Sequence, residues 1–400
     1  MKQTLAALML FLGSILLIAA ECSGQESFAT EYLRQVSMFS PVAGLSAKDL
    51  IEGGNSPRDP APSRPIDPFT YIPHKPLDVP SGVRAMIFIP HPDDEAIAAS
   101  GLIQRIVEKE GKVCVVFVTN GDGYKEAVRL RVRNANISAK DFIEYGKKRQ
   151  EEAVLALCEL GLRPEDALFL GFPDDGIDDL WESYWSNLKP FISPHTLFDR
   201  PHRKGFNRWV KYSGVDLNQE IARLLTEFSP DWVILPDPRD HHPDHATTGV
   251  FVLGGLQTIY QGGKAPFTPT QVLTYLVHFK DYPHDGEWAK EIGASGINRC
   301  STSGKTLANA GWVTLPLSPE EVEGKRRALL AHSSQLQMLH GFFKNFLLPC
   351  EIYGSLNLMQ VISVPLEYAA YFNHPAPYKQ PEPPESPEAT DEKEEWSETQ

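Results

Sequence analysis

The chain has 400 residues, 42% hydrophobic and 22% charged, proportions that belong to a folded globular protein and leave little room for a mainly disordered one. Its net charge is −14, of which −6 falls between Lys379 and Gln400; the remaining body is still acidic, which argues against nucleic-acid binding, a task for clustered Lys and Arg. The five cysteines (Cys22, Cys114, Cys158, Cys300, Cys350) are odd in number and widely spaced, so they form neither a disulfide framework nor a zinc knuckle.

In chain order, Lys2 is followed by an apolar stretch over 5–20 that is short for a membrane span and has the layout of a secretory signal. Residues 1–20 are therefore expected to be a signal peptide cut after Ala20. The mature chain is then exported to a periplasmic, cell-envelope or external location, with membrane contact at most through its N-terminus. An uncleaved anchor and lipidation at Cys22 are the alternatives, the second weakened by Glu21 where a small residue normally precedes a lipidated cysteine. Residues 21–80 read as an arm: a short helix within 26–51, then eight prolines between Pro57 and Pro80, a composition for extended chain. At the other end, 376–400 is Pro-rich and acidic and is expected to be a disordered tail.

Between them, 81–375 reads as one domain. Apolar runs predict buried strands at 85–90, 113–118, 167–170, 232–235 and 270–277, and helical spacing predicts helices at 96–110, 146–162, 217–228 and 245–260. Cys114 and Cys158 fall inside such elements as buried thiols, while a Cys300–Cys350 bridge is an option in an oxidising compartment. Alternating strands and helices imply an α/β fold, a mostly parallel sheet flanked by helices (Rossmann-like), with ligands at the carboxyl ends of the strands. Two insertions interrupt the alternation: a polar one at 124–148 and an aromatic one at 181–215, the latter either a sugar-stacking surface or satellite core.

Two motifs follow strands at those carboxyl ends: His91-Pro92-Asp93-Asp94-Glu95 and His242-Pro243-Asp244-His245. Each offers an imidazole and a carboxylate within four residues. Two histidines and a carboxylate make a three-ligand metal site with one position open. On the first motif, Asp94 reaches the metal with His91 while Asp93 points elsewhere, toward water. Either aspartate is also a natural cap for the helix that follows. On the second, His245 opens a helix as the third ligand. His242 is left for proton transfer, with Asp244 orienting and charging it.

These motifs resemble those of the PIG-L/LmbE-like zinc-dependent de-N-acetylases. The resemblance extends to Thr119-Asn120-Gly121-Asp122, to Arg149 and Glu152, to Leu170-Gly171-Phe172-Pro173-Asp174, and to a late helix running from Lys325 to Ser334-Gln335. It implies a catalytic domain over 81–375 that removes acetyl from an N-acetylglucosamine-type sugar or glycolipid. Zn2+ would be held by His91, Asp94 and His245, with Fe2+ or Co2+ accepted by the same donors. Asp93 would be the general base, and protonated His242, held by Asp244, would stabilise the oxyanion. Arg149 and Asp122 would contact substrate; a helix-surface salt bridge with Glu152 or a neighbour is the alternative for Arg149. The competing functions are another zinc amidohydrolase, although the His-Glu-x-x-His arrangement of zinc peptidases is absent, and an exported carbohydrate-binding protein with a non-catalytic metal.

Overall fold

The computed structural model describes residues 75–132, 136–201, 209–261, 265–279, 282–283, 311–356 and 361. The expected signal peptide, most of the Pro-rich arm, Cys22, Cys300 and the acidic tail lie outside the described residues. Eight strands form one sheet: β1 (Lys75–Pro76), β2 (Arg84–Ile89), β3 (Lys112–Thr119), β4 (Ala167–Phe172), β5 (Trp232–Pro236), β6 (Gln271–Tyr275), β7 (Gly311–Pro316) and β8 (Cys350–Leu356). Their order is β1-β7-β8-β6-β5-β2-β3-β4. All pairings are parallel except those of β8, which runs antiparallel to β6 and β7. The helices are α1 (Asp94–Ala98), α2 (Ser100–Glu108), α3 (Lys125–Val132), α4 (Ala139–Glu159), α5 (Ile177–Glu182), α6 (Gly214–Phe228), α7 (Pro243–Gln261), α8 (Pro319–Ala331) and α9 (Ser333–Asn345).

The continuous apolar runs of β2 and β3 resolve into two faces. Ala85, Ile87, Ile89, Val113, Val115 and Phe117 join a core layer with α1, α2, α4 and α8. Met86, Phe88, Cys114, Val116 and Val118 join the opposite layer with α5, α6 and α7. Both faces are therefore covered, which is why neither run shows polar alternation. Burial in that second layer also pushes the Cys114 thiol up to about 12, an inert thiol.

The five predicted strands are present within two residues of their expected bounds. The predicted helix over 96–110 is instead two, α1 and α2, joined at Ala99. The polar insertion at 124–148 is largely helical, as α3 and the start of α4, its apolar residues Ala127, Val128, Phe142 and Tyr145 forming a small core of their own. In the aromatic insertion, Trp181, Tyr184, Phe191, Phe198 and Tyr212 pack on the α6–α7 layer, while Trp209 is 72% exposed. Most of these aromatics are thus satellite core.

The chain runs β2, β3, β4 outward to one edge, then returns to place β5 on the other side of β2 and β6 beyond it. The crevice between the carboxyl ends of β2 and β5 is therefore the switch point of the sheet, where open α/β sheets bind ligands. The antiparallel strand β8 is tied into this region by Glu351, whose carboxylate accepts the Gly101 and Leu102 amides at the start of α2 at 2.9 and 3.0 Å. Lys325 from α8 neutralises it at 3.1 Å, both side chains being almost fully buried. Lys325→Met strands that carboxylate without a counter-charge; the expected loss is about 3–5 kcal/mol of folding stability, measurable as a lower midpoint in urea with an unchanged slope.

Candidate metal centre

His91 follows β2 and His245 lies in the first turn of α7 after β5, so the two come from opposite sides of the switch point. His91 Nδ1 lies 3.2 Å from His245 Nε2 and 3.4 Å from Asp94 Oδ2, and His245 Nε2 lies 3.2 Å from the same Oδ2. Three donors bound at zinc-like lengths around one tetrahedral centre stand about 3.3 Å apart. The triangle fits a small divalent cation, and its donor set of two imidazoles and one carboxylate suits zinc, iron or cobalt. Other donor groupings overlap it, namely His91 with His242 and His245, Asp94 with His245 and His278, and His91 with Asp174 and Asp244. Each contains at least one of His91, Asp94 and His245, and the last uses the opposite edge of the His91 ring.

Each donor is held from behind. His91 Nε2 faces Asp174 Oδ1 at 3.0 Å and Asp244 Oδ2 at 3.1 Å, which puts its proton on Nε2 and turns the Nδ1 lone pair into the triangle. Burial opposes a charge on this ring, but Asp174, Asp244 and Asp94 together hold its pKa well above the ordinary value. Asp94 Oδ2 accepts the His91 amide at 3.1 Å. Asp240 Oδ2 stands 3.8 Å from His245 Nδ1, an otherwise unpartnered buried atom, and accepts the amides of Val277 and His278 at 2.8 and 3.0 Å.

Asp244 departs from the expected role. Its carboxylate accepts the Asp175 and Ile177 amides at 2.8 and 3.0 Å and faces His91, so it orients a candidate ligand and not His242. The physical reason is its position in the first turn of α7, facing the loop after β4 where those amides await an acceptor. What touches His242 is the Asp244 backbone N–H, donated to Nδ1 at 3.2 Å. That leaves the His242 proton on Nε2. Burial and the nearby imidazoles of His91, His245 and His278 hold His242 well below its usual pKa, which favours the neutral ring over the imidazolium that the resemblance implies.

Asp93 occupies the N-cap position of α1 without making a side-chain cap, so the capping alternative is not realised. Its φ of 142° is a strained backbone for a residue with a Cβ, worth on the order of 1–3 kcal/mol. Its carboxylate turns to Arg149 Nη2 at 3.1 Å, and burial, opposed by that guanidinium, pushes it up to about 7. Arg149 itself is 4% exposed and donates to the Pro92 and Gly121 carbonyls at 2.6 and 2.9 Å. The helix-surface salt bridge with Glu152 is not what forms: Glu152 pairs with Ser333 and Ser334 instead, and the guanidinium fastens the Asp93 loop to the loop after β3. Gly121, at φ 64°, is required there, since a Cβ would overlap the guanidinium. Asp122 is buried beside Asp174, and desolvation with that neighbouring charge pushes it up to about 7.

Asp240 and His278 went unassigned in the sequence, and Asp174 was noted only as part of a motif. His278 follows the predicted strand over 270–277 directly, where the rule about carboxyl ends applies to it as well. Its ring lies 5.3 Å from His242, stacks on Phe342 at 5.1 Å, and is lowered to about 4 by burial and His245.

A family model described as PIG-L: GlcNAc-PI de-N-acetylase matches residues 86–254, which span both motifs. A Bacteroides thetaiotaomicron protein described as a putative glucosamine-6-phosphate deaminase-like protein is 28% identical over 283 residues, covering 67% of this chain and 38% of the relative. The 1D-myo-inositol 2-acetamido-2-deoxy-alpha-D-glucopyranoside deacetylase of Mycolicibacterium smegmatis is 28% identical over 165 residues, 40% of this chain and 48% of its own. The chain thus spans less than half the length of these curated relatives. Among solved structures, the N,N'-diacetylchitobiose deacetylase of Pyrococcus horikoshii is similar at 15% identity and a TM-score of 0.43, over 84% of this chain and 96% of that one. A zinc-inhibited form of teicoplanin deacetylase Orf2 is similar at 17% identity and a TM-score of 0.40, over 66% and 90%.

The support behind His91 gives a direct expectation. Asp244→Ala removes one of the two carboxylates that set its tautomer, and metal affinity falls by about 10–100-fold, read by competition with a chromogenic chelator; an unchanged affinity overturns the assignment of Asp244.

Proposed function

We propose that this chain, which a family model described as PIG-L: GlcNAc-PI de-N-acetylase matches over residues 86–254, is a metal-dependent hydrolase that removes acetyl from an N-acetylglucosamine-type sugar or glycoconjugate. The observation that carries this reading is the triangle of His91 Nδ1, Asp94 Oδ2 and His245 Nε2 with 3.2–3.4 Å sides, with the carboxylate of Asp93 fixed beside it by Arg149. A site for binding alone has no use for a buried, strained carboxylate next to an open metal position.

His91, Asp94 and His245 would hold the cation, with Zn2+ the first choice for this donor set. When bound, it supplies Lewis acidity, polarising a carbonyl and making water acidic enough to attack at neutral pH. Asp93 takes the proton that water gives up as its oxygen adds to the acetamide carbon. Arg149 keeps that carboxylate in place through the transfer. His242, neutral and protonated on Nε2, donates a hydrogen bond where negative charge develops on the carbonyl oxygen, and its Nδ1 is fixed by the Asp244 amide. The C–N bond then breaks, the proton held by Asp93 passes to the leaving nitrogen, and the products are acetate and a free amino sugar. With the tail's net charge of −6 set aside the body remains acidic, which suits a neutral or cationic sugar better than a polyanion. The export read from residues 1–20 would direct the reaction to sugars outside the cytoplasm.

Two outcomes test this. Full-length protein incubated with a panel of N-acetylglucosamine glycans and glycolipids should release acetate and free amine in equal amounts, lose that activity after chelation, and regain it with Zn2+. Metal bound stoichiometrically with no acetate from any substrate would sink the deacetylase reading. Asp93→Asn should retain metal and lower kcat by about 10²–10⁴-fold, the usual worth of a general base; retention of activity would remove Asp93 from the mechanism.

A further inference from the structure

Glu95 and His332 are 237 positions apart in sequence, both fully buried, and joined by a 2.7 Å contact between Oε1 and Nε2. Glu95 belongs to the first turn of α1, next to the candidate ligand Asp94. Its second oxygen, Oε2, accepts the backbone N–H of Asp93 at 2.9 Å. The contacts of the pair thus run to the backbone of the proposed base and not to the donor triangle.

His332 sits at the junction of α8 and α9, closing one helix and opening the next. The residues after it are anchored as well. Ser333 Oγ and Ser334 Oγ each donate to Glu152 at 2.6 Å, the Ser334 backbone N–H donates to it at 3.0 Å, and the Gln335 side-chain Nε2 donates to the Tyr145 hydroxyl. Glu152 and Tyr145 lie on α4, the helix that carries Arg149. Asp93 is therefore gripped twice: its carboxylate by Arg149, its amide by Glu95. Both grips lead back to the 332–335 junction.

The grip answers a specific need. A non-glycine residue at φ 142° relaxes toward ordinary backbone unless its surroundings over-determine it. A base displaced by about 1 Å loses on the order of 100-fold in rate. We propose that Glu95 and His332 are a positioning pair that holds Asp93 in this conformation and so sets its carboxylate against the substrate water. This rests on the deacetylase reading, which says what Asp93 is positioned for. A buried acid–imidazole contact between distant segments is also what a plain fold staple looks like, so the experiment has to separate the two.

Full-length wild type, His332→Phe, His332→Gln and the double variant Glu95→Leu/His332→Phe are compared, with His332→Phe also made on Asp93→Asn. The readouts are kcat and KM for acetate release, metal per chain, thermal midpoint, and amide exchange of a peptide spanning 91–95. His332→Phe is expected to lower kcat by about 10–100-fold, with KM and metal content within about two-fold and faster exchange at 91–95. His332→Gln, which keeps a donor toward Glu95, recovers most of the rate. The double variant removes both buried charges together and leaves only the Asp93 N–H without its acceptor, so its thermal midpoint falls no further than that of His332→Phe, and it still loses kcat. On Asp93→Asn, His332→Phe changes the residual rate by less than about two-fold, because its effect passes through Asp93. An unchanged kcat, an equal loss on the Asp93→Asn background, or a loss that follows the thermal midpoint or metal content overturns the proposal. If wild type releases no acetate at all, the deacetylase reading has failed on its own. Amide exchange then decides the pair: faster exchange at 91–95 in the metal-loaded, folded double variant supports it, and unchanged exchange overturns it.

Discussion

Three electron-rich atoms, two imidazole nitrogens and one carboxylate oxygen, meet in a buried site at 3.2–3.4 Å from one another. Left without a cation, this arrangement is repulsive unless protons fill it, and most of the surrounding structure exists to hold it in shape. Asp174 and Asp244 stand behind His91, Asp240 stands behind His245, and the His91 amide stands behind Asp94. These supports come from the ends of β2, β4 and β5, so the site is only as well defined as the order of the sheet.

The supporting acids serve a second purpose. Asp244 accepts the Asp175 and Ile177 amides, and Asp240 accepts those of Val277 and His278. Buried loop backbone needs such partners, and the loops at the switch point find them in carboxylates that also face the candidate ligands. Loop conformation and metal geometry are therefore coupled. A change in one of these acids acts on both, which is why charge count alone does not describe what each contributes.

Charge is distributed around the triangle with some economy. His242 and His278 are kept neutral by burial and by the other imidazoles. Asp93, next to Asp94 in the chain, forms a buried ion pair with Arg149. The neutral His242 differs from the imidazolium expected from its motif, and the difference arises because four rings share one buried volume, which no local stretch of sequence displays.

Much of this was legible in the chain. Apolar runs located the five strands from β2 to β6, and the rule about carboxyl ends put His91-Pro92-Asp93-Asp94-Glu95 and His242-Pro243-Asp244-His245 near one another. Those signals are local: a hydrophobic period, or a cluster of donors within four residues. The strands β7 and β8 left no comparable mark, and of α8 and α9 only the stretch from Lys325 to Ser334-Gln335 stood out, as one helix and not two, so Glu351 and the role of His332 stayed hidden. The roles of Asp244, Arg149 and Asp174 were beyond reach for a related reason. A carboxylate within four residues of two histidines has several of them to choose from, and the choice depends on backbone amides and helices packed against it from elsewhere. The sequence by itself determined which residues bring metal-binding chemistry and that a parallel sheet would gather them at one edge. Tertiary structure alone decided which atom of each side chain faces which neighbour, because those pairings join segments as many as 237 positions apart.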